Sequence, residues 1–451
     1  MATNEIAACA PLPGLRRSLK LRDLLLYGLV LISPLAPMNV FGVLSQRAGG
    51  HVVSAVLLGF VAMLFTSISY GRMARIYPSA GSAFTYVARE IHPGLGYVTG
   101  WAMLMDYIVC PVVCTTWIAQ QSHVFVPQVP VAAWVALYVV AITWLNVQSI
   151  KSSARFNIIM SVIMSAVVVV FLIAAAHYIF GRPHSDPEFF SRPFYDPRTF
   201  SFGGLFGSTS IAVLIYLGFD GISTLSEETE NPERNVLLAT VLTCVVTGAV
   251  SALEVYVGQL VWPASERFPD LDTAYVWVAG RVWKPMFTVI GLSLLLVYFC
   301  CAMAAHLGAS RLLYGMGRSN ALPRAFFGAI DPKHHVPRNN VLLIAVLVLV
   351  GSLCISFDLA AQLQNFGALI AFVGVNAAAF LRFFVHASEK KLWNFLWPLA
   401  GFLICLLLWW TLGWPAKVVG LAWMAVGIAY GCWSTRGFRL PFSFAVPEQT
   451  R

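Results

Sequence analysis

The 451-residue chain is 59% hydrophobic and only 11% charged, with a mean hydropathy of +0.75. Soluble domains carry roughly a quarter charged residues, so this composition excludes a water-soluble globular protein. The net charge of +9 comes from basic residues scattered between apolar runs, which excludes the basic stripes of a nucleic-acid binder and leaves a bias among membrane loops as its meaning. In chain order, residues 1–21 are mixed and basic, with no apolar core before a small-residue cleavage site, and read as a cytoplasmic segment rather than a signal peptide. About twelve runs long enough to cross roughly 30 Å of hydrocarbon follow, near 22–46, 53–76, 95–121, 131–149, 156–180, 205–226, 236–262, 284–314, 339–356, 360–385, 396–413 and 416–434. Residues 435–451 form a basic tail. The fold class is all-α integral membrane.

Two of these runs are interrupted. The first contains Ser33-Pro34-Leu35-Ala36-Pro37-Met38-Asn39, and each proline removes an amide donor and clashes with the preceding turn. The sixth contains Leu217-Gly218-Phe219-Asp220-Gly221, two glycines flanking an acid at a similar depth. Bare backbone at membrane depth is tolerated only where it lines a cavity or is buried in protein. Interruptions five spans apart predict an inverted five-plus-five repeat, its halves near 22–180 and 205–385, with a substrate site between the breaks. The segment 396–434 is then a peripheral pair outside the 22–385 core. Two kinked packing helices are the plainer alternative.

With the N-terminus inside, Lys and Arg split 21 to 8 in favour of cytoplasmic segments, which predicts an even number of spans and both termini in the cytoplasm. The loop 181–204 runs against the rule with three Arg, offset by Asp186, Glu188 and Asp196. The nine Cys show no CxxC pair and no partnering His spacing, so spacing implies neither disulfides nor a metal, and no cofactor is expected.

Several motifs are familiar. Tyr70-Gly-Arg72-Met-Ala-Arg75-Ile-Tyr-Pro78-Ser-Ala-Gly81-Ser-Ala-Phe-Thr-Tyr86 resembles the second-span exit and first cytoplasmic loop of the amino acid–polyamine–organocation transporters. Gly218-Phe-Asp-Gly-Ile-Ser-Thr-Leu-Ser226-Glu-Glu-Thr-Glu-Asn231-Pro232, Ser310-Arg-Leu-Leu-Tyr314-Gly-Met-Gly-Arg318, Leu104-Met-Asp106-Tyr107 and Asn365-Phe-Gly-Ala-Leu369 extend the likeness, and together resemble the bacterial putrescine importers. The resemblance covers about residues 20–435. It implies a LeuT-like fold of ten core helices in inverted repeats with two peripheral ones, alternating access, and residence in the bacterial inner membrane.

Ionisable groups inside a bilayer are functional candidates by default. Away from span ends the acids are Asp106, Asp220 and Glu254. Asp220 sits in the sixth-span break, where the resemblance places an acid that gates or senses protons; it reads as a site for an ammonium or a proton, and also as a cap on the following half-helix. Tyr107 matches a tyrosine implicated in substrate recognition in similar importers, and an aromatic there can hold an amine by cation–π attraction. Asp106 reads first as a hydrogen-bonded structural acid and second as a contact. Cys110 lies one turn on. The resemblance links one glutamate of the Ser-Glu-Glu-Thr motif, Glu227 or Glu228, to substrate handling, against a solvated helix end. Glu254 has no counterpart in the resembled branch and reads as a water-exposed acid or a second cation contact. His306 reads as a histidine satisfied by a backbone carbonyl. Freed backbone around Ser33–Asn39 and Leu217–Gly221 offers amides to a carboxylate and carbonyls to an ammonium.

Two departures bear on the substrate. Asn39 stands where similar putrescine importers carry an acid, which loses a Coulomb term and turns the preference toward a monoamine or amino acid. The stretch Phe156–Ser165 lacks the lysine that stands in for sodium in some proton-coupled relatives. The favoured function is a secondary active importer of a small amine-bearing solute, putrescine, another polyamine or an amino acid, with proton coupling through Asp220 or Asp106. Ion-free exchange and a transporter-fold nutrient sensor stay open. A channel would need polar residues repeated along several spans, and an enzyme a nucleophile–base pair or metal cluster, whereas the nine His are dispersed. The expected partners are substrate, protons and lipids, anionic lipid beside Lys333 to Arg338 included.

Overall fold

The computed structural model describes residues 19–78, 82–148, 154–183, 186–318, 322–332, 334 and 336–434. Most of the expected 1–21 segment, the 435–451 tail and the side chains of Glu227 and Glu228 lie outside the described part, as do half of the side chains of the Phe156–Ser165 stretch. The described residues form helices joined by short connections, with one isolated bridge between Leu19 and Thr229.

Helix α1 (Leu21–Ile32) opens where the Asp23 carboxylate accepts the Lys20 amide at 2.9 Å, and closes at Ser33, whose φ is +65°. Pro34 follows, and α2 (Ala36–Arg47) restarts with Pro37 in its first turn, where a missing amide costs no hydrogen bond. Next come α3 (Val52–Ile76), the short amphipathic α4 (Ser82–Glu90), the long α5 (Pro93–Phe125) with Pro111 inside it, α6 (Val131–Val147) and α7 (Ala154–Phe180). Helix α8 (Phe202–Ala212) tightens into a 3-10 turn at Val213–Tyr216. Leu217 is extended, Gly218 takes φ +122°, and a second 3-10 helix covers Phe219–Glu228. Beyond lie α9 (Pro232–Val261), α10 (Ala274–Val282), α11 (Lys284–Arg318), α12 (Arg324–Phe327), α13 (Arg338–Cys354), α14 (Phe357–Phe380), α15 (Leu392–Thr411) and α16 (Trp414–Ser434).

Among the described residues nine helices are long and apolar enough to cross a membrane. The runs expected at 131–149 and 339–356 are the 17-residue helices α6 and α13, and the first run is divided between α1 and α2, of 12 residues each. Large apolar side chains face outward, among them Val140 at 67% exposure, Ile173 at 66% and Trp410 at 69%, while hydroxyls and amides turn inward. That arrangement suits hydrocarbon outside the bundle. Inside, Asn376 of α14 donates to the Thr66 hydroxyl at 3.0 Å and accepts from the Ser69 hydroxyl, tying α14 to α3, while Gly401 of α15 closes over the same amide.

Arg72 of the Tyr70–Tyr86 motif lies over the Phe383 ring at 4.1 Å and donates to Asn394 at 2.8 Å. At the same end Glu90 of α4 meets Arg382 at 3.6 Å and His386 at 3.8 Å, and accepts from the Tyr77 hydroxyl at 2.8 Å. At the opposite end Arg47, closing α2, pairs with Asp358, opening α14, at 2.5 Å. Beside it, in the connection before α10, burial together with Asp270 and Asp358 pushes the Asp272 carboxyl up to about 7. An acid held above its unfolded range binds more protons in the folded state, so stability falls as pH rises from about 4 to 7. Asp272→Asn is expected to remove that slope and to raise the melting temperature at pH 8 relative to the unmodified chain, with little change at pH 4; thermal unfolding across that range checks it.

Candidate functional site

The two interruptions lie side by side. α1 packs against the second 3-10 helix, while α2 packs against α8 and the first 3-10 turn. The approach is close: a Cβ on Gly28 of α1 would stand 2.6 Å from the Ile222 side chain and 2.7 Å from the Thr243 hydroxyl. At the first break every existing amide is already bound. Ser33 N donates to Leu29 O at 3.0 Å, Leu35 N to Ser33 Oγ at 3.3 Å, Ala36 N to Ser33 O at 3.1 Å and Met38 N to Leu35 O at 3.1 Å. What this break can offer a ligand is carbonyl oxygen, not amide hydrogen.

At the second break Asp220 folds back on its own backbone. Its carboxylate accepts the Gly218 amide at 3.2 Å, with the amides of Asp220 and Gly221 turned toward it. The carboxylate thus caps this turn, and Asp220 as a residue is half-buried. Asp106, Tyr107 and Cys110 on one stretch of α5 are partly exposed in the same way. Asp106 and Asp220 stand within electrostatic range of each other, and both act on the hydroxyls of Tyr107 and Tyr70. Gln364 of α14 hydrogen-bonds the Asp106 carboxylate while its own carbonyl oxygen has no protein partner among the described residues. The assembly is two carboxylates and two phenols beside two broken helices, a setting that can hold a desolvated ammonium group.

The Asn365-Phe-Gly-Ala-Leu369 motif builds this place. Asn365 Nδ2 donates to Ser210 O at 2.8 Å and Ile211 O at 3.4 Å, where α8 tightens into its 3-10 turn. Gly367 lets α14 touch the α5 backbone beside Asp106.

Not every expected residue faces the site. Ser33, Tyr107, Cys110, Leu217, Gly218, Asp220 and Gly221 keep some accessible surface. Ala36, Pro37, Met38 and Asn39 lie in α2, all buried, Asn39 to 3% exposure, because the helix resumes at once after Pro34. Asn39 is thus not in the break, as the sequence had placed it. Phe219 is fully buried, its ring edge-on to Tyr70 at 5.7 Å and tilted against Phe372 at 5.4 Å, so it packs rather than contacts. Glu254 is not water-exposed. It is fully buried, neither carboxylate oxygen has a partner among the described residues, and its surroundings are Tyr275 of α10 and Tyr298 of α11. His306 meets the Val341 carbonyl at 2.9 Å, the bland role expected of it. Tyr70 and Gln364 escaped the sequence reading: Tyr70 belongs to a quoted motif but its hydroxyl, unpartnered among the described residues, reaches the acids only once α3 packs beside the second 3-10 helix. A separate cavity of about 870 Å³ lies at the far end of α2, between Ser45, Gln46, Arg192 and Arg267, and contains neither acid.

The amino acid permease family model matches residues 34–430. The chain is 34% identical over 95% of its length to the low-affinity putrescine importer PlaP of Escherichia coli K12, itself covered to 95%. It is 25% identical to the branched-chain amino acid permease BcaP of Bacillus subtilis and 23% identical to the methylthioribose transporter of the same organism, covering 94% of each chain in both comparisons. These relatives are carriers rather than enzymes, and together with its apolar helices they make the chain a multi-pass membrane protein. It belongs to the amino acid permease family.

Proposed function

We propose that the protein imports a small cationic amine, of the putrescine class, across the inner membrane by alternating access between an inverted pair of five-helix repeats with α15 and α16 at the periphery. Twelve spans result when α1 and α2 count as one crossing, α8 with the two 3-10 segments as another, and α6 and α13 as short ones. Both termini then lie in the cytoplasm, and the Arg47–Asp358 pair lies outside, closing α2 against α14. The observation that carries the reading is the joint presence of Asp106 and Asp220 at the paired breaks, in a place whose first-break amides are all spoken for. Two carboxylates suit an ammonium; a zwitterion's carboxylate would find repulsion and few donors. This restores the diamine preference that Asn39 had weakened, because Asn39 does not reach the break. The partly negative C-terminal end of α1 adds to the attraction.

Protons enter the same reading. A carboxylate that holds an ammonium in the loaded state can hold a proton in the empty one, so Asp220 and Asp106 couple import to the proton gradient, while Glu254, buried beside Tyr275, takes no part in it. In proteoliposomes, labelled putrescine is expected to accumulate when the outside is acidified, and collapsing the pH gradient is expected to reduce accumulation several-fold. Excess unlabelled diamine should compete, and leucine should not. Leucine uptake exceeding that of any amine would overturn the amine assignment; accumulation indifferent to the gradient but driven by internal substrate would replace symport with exchange.

A further inference from the structure

Three thiols meet inside the bundle, and the transport reading assigns two of them, Cys114 and Cys301, no role. Cys110 and Cys114 are one turn apart on α5 and so share a face, and α11, packed along α5, brings Cys301 against them. All three sulfurs lie within 4.8 Å of one another. The rings of Trp117 and Tyr298, 5.1 Å apart, sit a turn away on the same two helices. On the other side, Tyr107 precedes Cys110 by one turn, a rise of about 4.5 Å along α5. Cys114 is buried, whereas Cys110 and Cys301 keep some accessible surface.

We propose that Cys110, Cys114 and Cys301 form a binding site for a soft, thiophilic divalent cation with a filled d shell, Zn²⁺ or Cd²⁺. Three sulfurs about 2.3 Å from a central ion in a trigonal arrangement stand about 4 Å apart, so small side-chain adjustments close the site. Sulfur donors alone select such ions against Mg²⁺ and Ca²⁺, which require oxygen. As three metal–sulfur bonds form, three thiol protons leave to water, because the thiolate and not the thiol ligates such ions, and the dipositive ion cancels two of the three sulfur charges. Sequence spacing did not reveal the cluster because its third member comes from a helix distant in the chain.

The test uses purified full-length protein in lipid nanodiscs under a phosphine reductant, with Cd²⁺ alone as the probe. Titration should give the ultraviolet thiolate-to-cadmium charge-transfer band and saturate at one ion per chain; Mg²⁺ should give none. Cys301→Ser should weaken binding at least about 10-fold, and Cys300→Ser, which alters the neighbouring thiol outside the cluster, should leave it unchanged. Maleimide labelling of the unmodified chain, read by mass spectrometry, should show Cd²⁺ protecting Cys110 and Cys301 while Cys354 stays reactive, a result that holds even if a variant misfolds. Absence of the band, equal affinity in Cys301→Ser, or labelling of Cys110 and Cys301 unaffected by Cd²⁺ would each overturn the site.

Discussion

Asp220→Asn is expected to lower putrescine uptake by about 100-fold or more while leaving the amount of protein in the membrane and its melting temperature nearly unchanged. The two halves of this expectation come from the two roles of one side chain. As a cap, Asp220 needs only an acceptor oxygen for the Gly218 amide, and the asparagine amide still supplies one. As a ligand, it needs negative charge. Removing one member of a buried charge pair costs about 2–5 kcal/mol, and 2.7 kcal/mol is already about 100-fold. Asp220→Ala would remove both roles and confound them. Uptake kinetics in proteoliposomes, with thermal unfolding of the same preparations, separates the two; uptake within about threefold of the unmodified chain would take Asp220 out of the mechanism.

Much of this place was legible before the coordinates. Pro34 and Gly218 announce interruptions because a residue without an amide hydrogen and a residue without a side chain both weaken a helix. Asp106 and Asp220 announce themselves because an intramembrane carboxylate is costly. What could not be read was how soon each helix resumes and which way each side chain then faces. Pro37 looked like a second breaker, yet in the first turn of α2 it is a helix starter, and this alone carries Asn39 from the break into the packed interior. Phe219 adjoins the acid in sequence, but a 3-10 helix turns about 120° per residue, so the ring points into the Tyr70–Phe372 cluster. Glu254 looked accessible because nothing in its neighbourhood reveals that α10 folds back over it, with the Tyr275 hydroxyl on the Glu254 carbonyl at 2.8 Å. Tyr70, Gln364 and Cys301 belong to the same class: their roles depend on helices that meet only through tertiary packing.

Gly367→Ala should both destabilise the bundle and weaken amine binding. A Cβ there would stand 2.4 Å from the Ala102 carbonyl oxygen and 3.1 Å from the Asp106 amide nitrogen. The nearest obstacle is backbone, so no rotamer change relieves it, and α14 must move away from α5. Overpacking of this kind costs about 1–3 kcal/mol. It also has a direction, because the separated helices are those that carry Asp106 and its partner Gln364. The expected result is a lower melting temperature together with a rise in KM for the amine, beyond any fall in the amount of folded carrier. Gly207→Ala provides the contrast: nothing lies within 4 Å of its added methyl, and alanine is the better helix former in α8, so stability should hold or rise slightly with uptake unchanged. If Gly367→Ala melts and transports like the unmodified chain, the contact between α14 and α5 is not what sets the position of Asp106.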